Sequence, residues 1–364
     1  MTAIAAPASR ARFGSLPSLP LLSLLLLTAA LLSLGIGAVS IHPLQTLAIL
    51  LDQLGVHLPV AYDATQSAVL LAVRLPRVLA SMLVGGALAT AGVALQALFR
   101  NPLADPWLVG VSGGASCGAA GAILGAALLP VSVAGALGIA VVPLAAFLGA
   151  LVAAFAVLRL ARMGRAPSAV AMLLCGIAVN ALASAGTGLL TYLADDTQLR
   201  RIAFWQLGSL GGVTWRSLPV AAVLMLVAIL WLLRFARRLD VLVLGEAEAA
   251  HLGVDPPRVR HRVVALAALG TGAAVALTGA IAFVGLVVPH VARLLFGAGH
   301  RQLIPRAALL GAMVLTLSDL VARTALAPSE LPIGIVTSAF GAPFFLWLLL
   351  RKGEGVIAIG RAHV

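Results

Sequence analysis

The chain has 364 residues, of which 62% are hydrophobic and only 10% charged, with a mean hydropathy of +1.10. A soluble globule carries roughly 25% charged residues, so a water-soluble enzyme, a disordered chain and a nucleic-acid-binding domain are excluded. What remains is an all-α, polytopic membrane protein, and its formal charge of +12 is then the bias of cytoplasmic loops, not a nucleic-acid surface.

Residues 1–18 are polar, carry Arg10 and Arg12, and read as a cytoplasmic tail. The apolar run 19–39 exceeds the roughly 7–15 residues of a signal-peptide core, so it is expected to stay attached as a first membrane helix. Further runs of about the 20 residues that a crossing needs follow at 75–99, 107–129, 134–158, 168–193, 217–233, 263–280, 281–299, 303–322 and 331–350. The stretch 263–292 holds no charge and invites a single long span. Splitting it puts Arg258, Arg260 and Arg262 on the same side as Arg293, Arg301 and Arg306, as the positive-inside rule favours. The resulting ten-helix domain occupies 19–352, followed by a tail at 353–364. With both termini cytoplasmic, 18 of the 24 basic residues fall inside and six outside. Spans two to five and seven to ten then run in opposite senses, the pattern of an inverted repeat.

Several chemistries are missing. The only lysine, Lys352, is followed by Gly353-Glu354, so no phosphate-binding Gly-Lys-Ser/Thr loop exists, and any ATP must be hydrolysed by another polypeptide. Cys117 and Cys175 are isolated in apolar runs and read as packing residues, with no metal cluster expected. No carboxylate sits near the middle of a span, which argues against an ion-coupled secondary carrier. Gly114 and Gly118, then Gly121 and Gly125, form GxxxG pairs suited to close helix packing.

Three segments carry more. They are Arg74-Leu75-Pro76-Arg77 running on to Asn101-Pro102-Leu103-Ala104-Asp105-Pro106, the loop Leu244-Gly245-Glu246-Ala247-Glu248-Ala249-Ala250-His251-Leu252-Gly253, and Gly285-Leu286-Val287-Val288-Pro289-His290-Val291-Ala292-Arg293 with Glu330-Leu331-Pro332 beyond. Together they resemble the permease subunits of ABC importers for iron-siderophores, haem and vitamin B12, over roughly residues 60–352. The resemblance implies ten helices per subunit in the fold of the vitamin B12 permease, and a homodimer in the bacterial inner membrane. It also implies two separate ATPase subunits that hold ATP and magnesium, and a periplasmic binding protein that delivers the substrate. No catalytic residue is expected in this chain.

The resemblance also assigns roles to residues. Arg74, Arg77 and Arg323 at the outer boundary are expected to dock the binding protein by gripping its glutamates, for which a planar guanidinium suits. Leu244, Gly245, Glu246, Glu248, His251, Leu252 and Gly253, within 240–258, are expected to form coupling helices seated in the ATPase. Good helix formers and a closing glycine there predict a short helix that presents Glu246, Glu248 and His251 and buries Leu244 and Leu252. A cytoplasmic gate is expected near Ala166, Pro167 and Ser168. The stretch from Ala194 to Trp205 is similar to haem permeases in particular, so haem is the expected substrate, with a ferric siderophore or cobalamin as the alternative. Tyr192, Phe204 and Trp205 are suited to stack on a flat macrocycle, and Arg200 and Arg201 to meet its carboxylates.

Overall fold

The computed structural model describes residues 18–126, 140–163 and 169–361. The expected gate residues Ala166, Pro167 and Ser168 lie outside them, as does nearly all of the N-terminal tail. Every regular element among the described residues is helical: α1 Ser18–Gly35, α2 Pro43–Asp52, α3 Ala64–Leu98, α4 Val111–Gly125, α5 Val141–Met163, α6 Ala169–Leu193, α7 Asp196–Leu207, α8 Leu218–Leu244, α9 Glu246–His251, α10 Pro256–Thr278, α11 Val284–Phe296, α12 His300–Thr324 and α13 Ile333–Arg361.

Seven of these (α1, α3, α5, α6, α8, α10 and α12) are long and apolar enough to cross a membrane. The shorter apolar helices α4 and α11, with the apolar part of α13 at Ile333–Trp347, fill the remaining three expected spans. The uncharged stretch does divide: α10 stops at Thr278, Gly279 takes φ 73°, and Phe283 at φ 67° starts α11. A β-carbon on Gly279 would collide with the Trp205 carbonyl, so only glycine passes here. Three helices, α2, α7 and α9, lie outside the span map. α2 is too short to cross and is opened by a capping box between His42 and Gln45. α3 begins eleven residues before the expected span, at Ala64, behind an Asp63–Gln66 capping box and through a π-helical turn at Val69–Arg74.

The expected inverted repeat appears in the packing. α3 against α12 is matched by α10 against α5, and α4 against α5 by α11 against α12, with α8 touching both α3 and α10. The match reaches single residues: Gly176 of α6 abuts the Leu108 carbonyl just before α4, and Gly341 of α13 abuts Phe283 just before α11. Backbone approach through small residues holds the bundle: Gly85 meets Gly311, Gly92 meets Gly285, and Gly114 meets Gly149. Of the two GxxxG pairs, Gly114 and Gly118 pack tightly against α5. A β-carbon on Gly121 would meet only Leu190, at 3.8 Å, and one on Gly125 nothing within 4 Å among the described residues.

In the loop after α3, Asn101 Oδ1 accepts from the Leu103 amide and Asp105 Oδ1 from the Trp107 amide, both at 2.9 Å. These side chains replace the ladder bonds that Pro102 and Pro106 break.

Candidate functional sites at the two ends of the bundle

Alternation of the helices puts the Arg74–Arg77 turn, α7 and the end of α12 at one end of the bundle, and α9, the start of α10 and the start of α12 at the other.

At the first end the structure brings Arg74, Arg77 and Arg323 together, and all three point into the protein. Arg77 donates from Nε and Nη2 to Asp319 at 2.9–3.0 Å, and from Nη1 to both oxygens of Glu330 at 2.9 and 3.0 Å. Arg74 donates to the carbonyls of Leu34 and Gly35 at 2.7 and 2.9 Å and to that of Val39. Arg323 reaches the Ile36 carbonyl at 2.7 Å, the Ser33 hydroxyl at 2.8 Å and the Ser33 carbonyl, with Asp319 3.7 Å from its Nε. Two arginines, from α3 and α12, thus satisfy the carbonyls that α1 leaves unpaired at its C-terminus, where positive charge is also favoured by the helix dipole. A β-carbon on Gly37 would lie 2.6 Å from the Arg74 guanidinium, so a larger residue there would push that side chain off its carbonyl partners. The side chains of Arg77 and Arg323 are 8% exposed and that of Asp319 1%, while Glu330 is 46% exposed. The π turn at Val69–Arg74 delivers Arg74 to this buried position.

Beside this cluster stands α7. Asp195 caps it, accepting from the Thr197 and Gln198 amides at 2.8 Å, and Gly208 at φ 71° ends it. Arg200 and Phe204, and Arg201 and Trp205, are each four residues apart and so share a face. All four line a cavity of about 750 Å³ bounded by α4, α5, α7 and α10, together with Ile123 and Thr278. Tyr192, the fifth residue expected in the path, does not line it and is 86% exposed.

At the opposite end α9 forms over Glu246–His251, as the residue pattern predicts. Its orientation differs from the expected one. Ala249 is the buried residue, whereas Leu244 and Leu252 are 65% and 63% exposed, beside exposed Glu248 and His251. The helix is too short to bury a full apolar stripe, and its contact with α10 runs through an ion pair of Glu246 with Arg260. Gly245 at φ 141° turns the chain sharply between α8 and α9, and Gly253 at φ 79° closes the knob. Asp240 accepts from the His300 amide at 2.9 Å and meets its ring at 2.6 Å, fastening the end of α8 to the start of α12. No cluster of side chains able to hold a metal is present among the described residues.

Sequence reasoning found the arginines but not Asp319 as their partner. The two are 242 residues apart, and no local signal links them. Arg293 is also tied into the bundle: its guanidinium donates to Gln96, which in turn donates to the Leu286 carbonyl at 3.3 Å.

A helical bundle with seven long and three shorter apolar spans among the described residues, packed as an inverted repeat with a cavity at one end and a short glycine-bounded helix at the other, fits a permease of the ABC-importer class. The chain belongs to the FecCD transport family, whose model matches residues 25–351. It is 46% identical over 282 residues to the hemin transport system permease protein HmuU of Yersinia pestis, covering 78% of this chain and 83% of that protein. It is 42% identical over 281 residues to the vitamin B12 import system permease protein BtuC of Vibrio vulnificus, covering 77% and 82%. A metal-chelate type ABC transporter solved in an inward-facing conformation superposes with a TM-score of 0.77 at 34% identity, over 92% of this chain and 98% of that one. The protein is therefore a multi-pass permease of an ABC importer of the haem, siderophore or vitamin B12 type.

Proposed function

We propose that this permease carries haem inward across the bacterial inner membrane, working as a homodimer with two ATPase subunits and a periplasmic haem-binding protein. The observation that carries the substrate reading is the cavity in which α7 sets Arg200 and Arg201 beside Phe204 and Trp205. Flat aromatic surface next to paired guanidinium groups suits a planar macrocycle bearing carboxylates. The similarity to a hemin permease supports the same reading; the similarity to vitamin B12 permeases keeps cobalamin as the alternative. Both termini are cytoplasmic in this reading, α7 faces the periplasm and α9 the ATPase.

Exposed leucines beside Glu248 and His251 give α9 the mixed apolar and polar face of a docking knob, and its glycine-bounded helix is short enough to transmit force without bending. Only 17% of the most apolar window of α6 is covered within one copy, which supports α6 as a surface for the second subunit around the path. For the binding protein, the docking contact in this reading is Arg77, on which a partner carboxylate would replace half-exposed Glu330, while Arg74 and Arg323 fix the end of α1 around it.

Uptake should be measured in proteoliposomes holding permease, ATPase and binding protein, with haem, a ferric siderophore and cobalamin supplied in turn. ATP-dependent haem uptake is expected, reduced about tenfold or more by Arg200→Glu with Arg201→Glu, in line with the loss of charge-assisted bonds. Uptake of cobalamin alone would replace the substrate, and uptake without ATP would overturn the mechanism. Glu330→Gln is expected to tighten binding-protein association; unchanged affinity would remove Arg77 from docking.

A further inference from the structure

A second cavity, of about 410 Å³, opens at the α9 end between the C-terminal part of α5, the start of α6 and the start of α10. Its lining mixes apolar and cationic residues: Leu158, Ala161 and Met172 with Arg162, His261 and Arg262. The charges are unevenly balanced. Arg258 is paired with Asp255 at 2.9 Å and Arg260 with Glu246. Arg162 and Arg262 meet no carboxylate among the described residues. The partner of Arg162 is another nitrogen base, His261, whose Nδ1 lies 2.9 Å from its Nη2. Since the guanidinium must donate in that contact, Nδ1 accepts, and the neutral ring carries its proton on Nε2 as a further donor. Two arginine forks and an imidazole N–H therefore surround one cavity without an acceptor of matching charge.

We propose that this cavity binds a phosphate monoester or diester anion, in the form of the headgroup of an anionic phospholipid. Arg162 and Arg262 would grip the phosphate oxygens, and Leu158, Ala161 and Met172 would receive the glycerol and the first acyl carbons. A free anion would leave the apolar lining of Leu158, Ala161 and Met172 uncovered, and a basic recess between membrane helices at the boundary is the recurrent form of a lipid-headgroup site. The inference does not depend on which molecule the permease carries.

The test uses the full-length permease in mild detergent, with thermal stability and native mass spectrometry as readouts. Probes are phosphatidylglycerol, cardiolipin, phosphatidylcholine and inorganic phosphate. The anionic lipids are expected to bind and raise the melting temperature, with an effect that weakens at high salt; phosphatidylcholine and inorganic phosphate should not. Arg162→Gln with Arg262→Gln should weaken anionic-lipid binding roughly 30-fold, as expected for two boundary charges. Arg216→Gln, an exposed arginine at the other end, should leave binding unchanged. Equal protection by inorganic phosphate would make the site a free-anion site and overturn the lipid assignment. Unchanged lipid binding in the double variant, or a variant that retains lipid but loses its ATPase subunit on purification, would overturn the site itself. Because the readouts need neither substrate nor ATP, a failed haem-uptake experiment would leave this result standing.

Discussion

The two ends of the bundle both gather arginines and use them in opposite ways. At the α7 end Arg74, Arg77 and Arg323 are buried against α1 and Asp319, with every guanidinium engaged by this chain's own oxygens. At the α9 end Arg162 and Arg262 are exposed and face no carboxylate among the described residues. Residue type alone does not separate a staple from a binding group; the separation comes from burial and from whether the chain supplies its own acceptors. A buried charge must be satisfied internally because the membrane interior offers no water to do it.

The strongest way to break this contrast is Asp319→Ala. It would leave Arg77 and Arg323 facing one another without their shared anion, and losing one partner of a buried pair costs about 3–5 kcal/mol. Loss of folded permease is expected, read as a fall in melting temperature and in membrane yield. A variant of wild-type stability would mean that the arginines reach water and that the cluster is no staple. Next in size is Gly37→Ala. Its β-carbon would press on the Arg74 guanidinium at 2.6 Å, and overpacking costs about 1–3 kcal/mol. Melting of purified permease should show it, and suppression by Arg74→Ala would confirm that the clash is with that side chain.

The uneven legibility of the sequence follows the same line. Spans were readable because hydrocarbon imposes about 20 apolar residues on each crossing, and the divided stretch 263–299 was readable because Arg258, Arg260 and Arg262 had to share a side with Arg293. α2 was not, since ten amphipathic residues satisfy no crossing rule. Arg77 was visible but Asp319 was not seen with it, because tertiary pairing across 242 residues has no local period. The knob at α9 was legible as a helix but not in its orientation. The pattern rule assumes that leucine faces the chain's own core, and exposed Leu244 and Leu252 break it. Under the proposed function those exposed leucines form the surface offered to the ATPase subunit.

Asp105 offers the mildest test, because it is a half-buried acid with no arginine paired to it among the described residues. It caps the turn at Pro106–Val109, and burial pushes its carboxyl up to about 6, while the Trp107 amide opposes that rise. In the unfolded chain the group would ionise near its ordinary value of 3.8. Between those two values the folded protein holds the proton more tightly than the unfolded one does, so stability falls as pH rises and the deficit is complete above about 6. Asp105→Asn keeps the capping oxygen and removes the titration. Melting temperatures taken from pH 4 to pH 8 should therefore converge for the two proteins at the acid end, with the variant modestly the more stable at neutral pH. If wild type gains stability relative to the variant as pH rises, Asp105 has a cationic partner after all, and the rule that separates the two ends would have to extend to this turn.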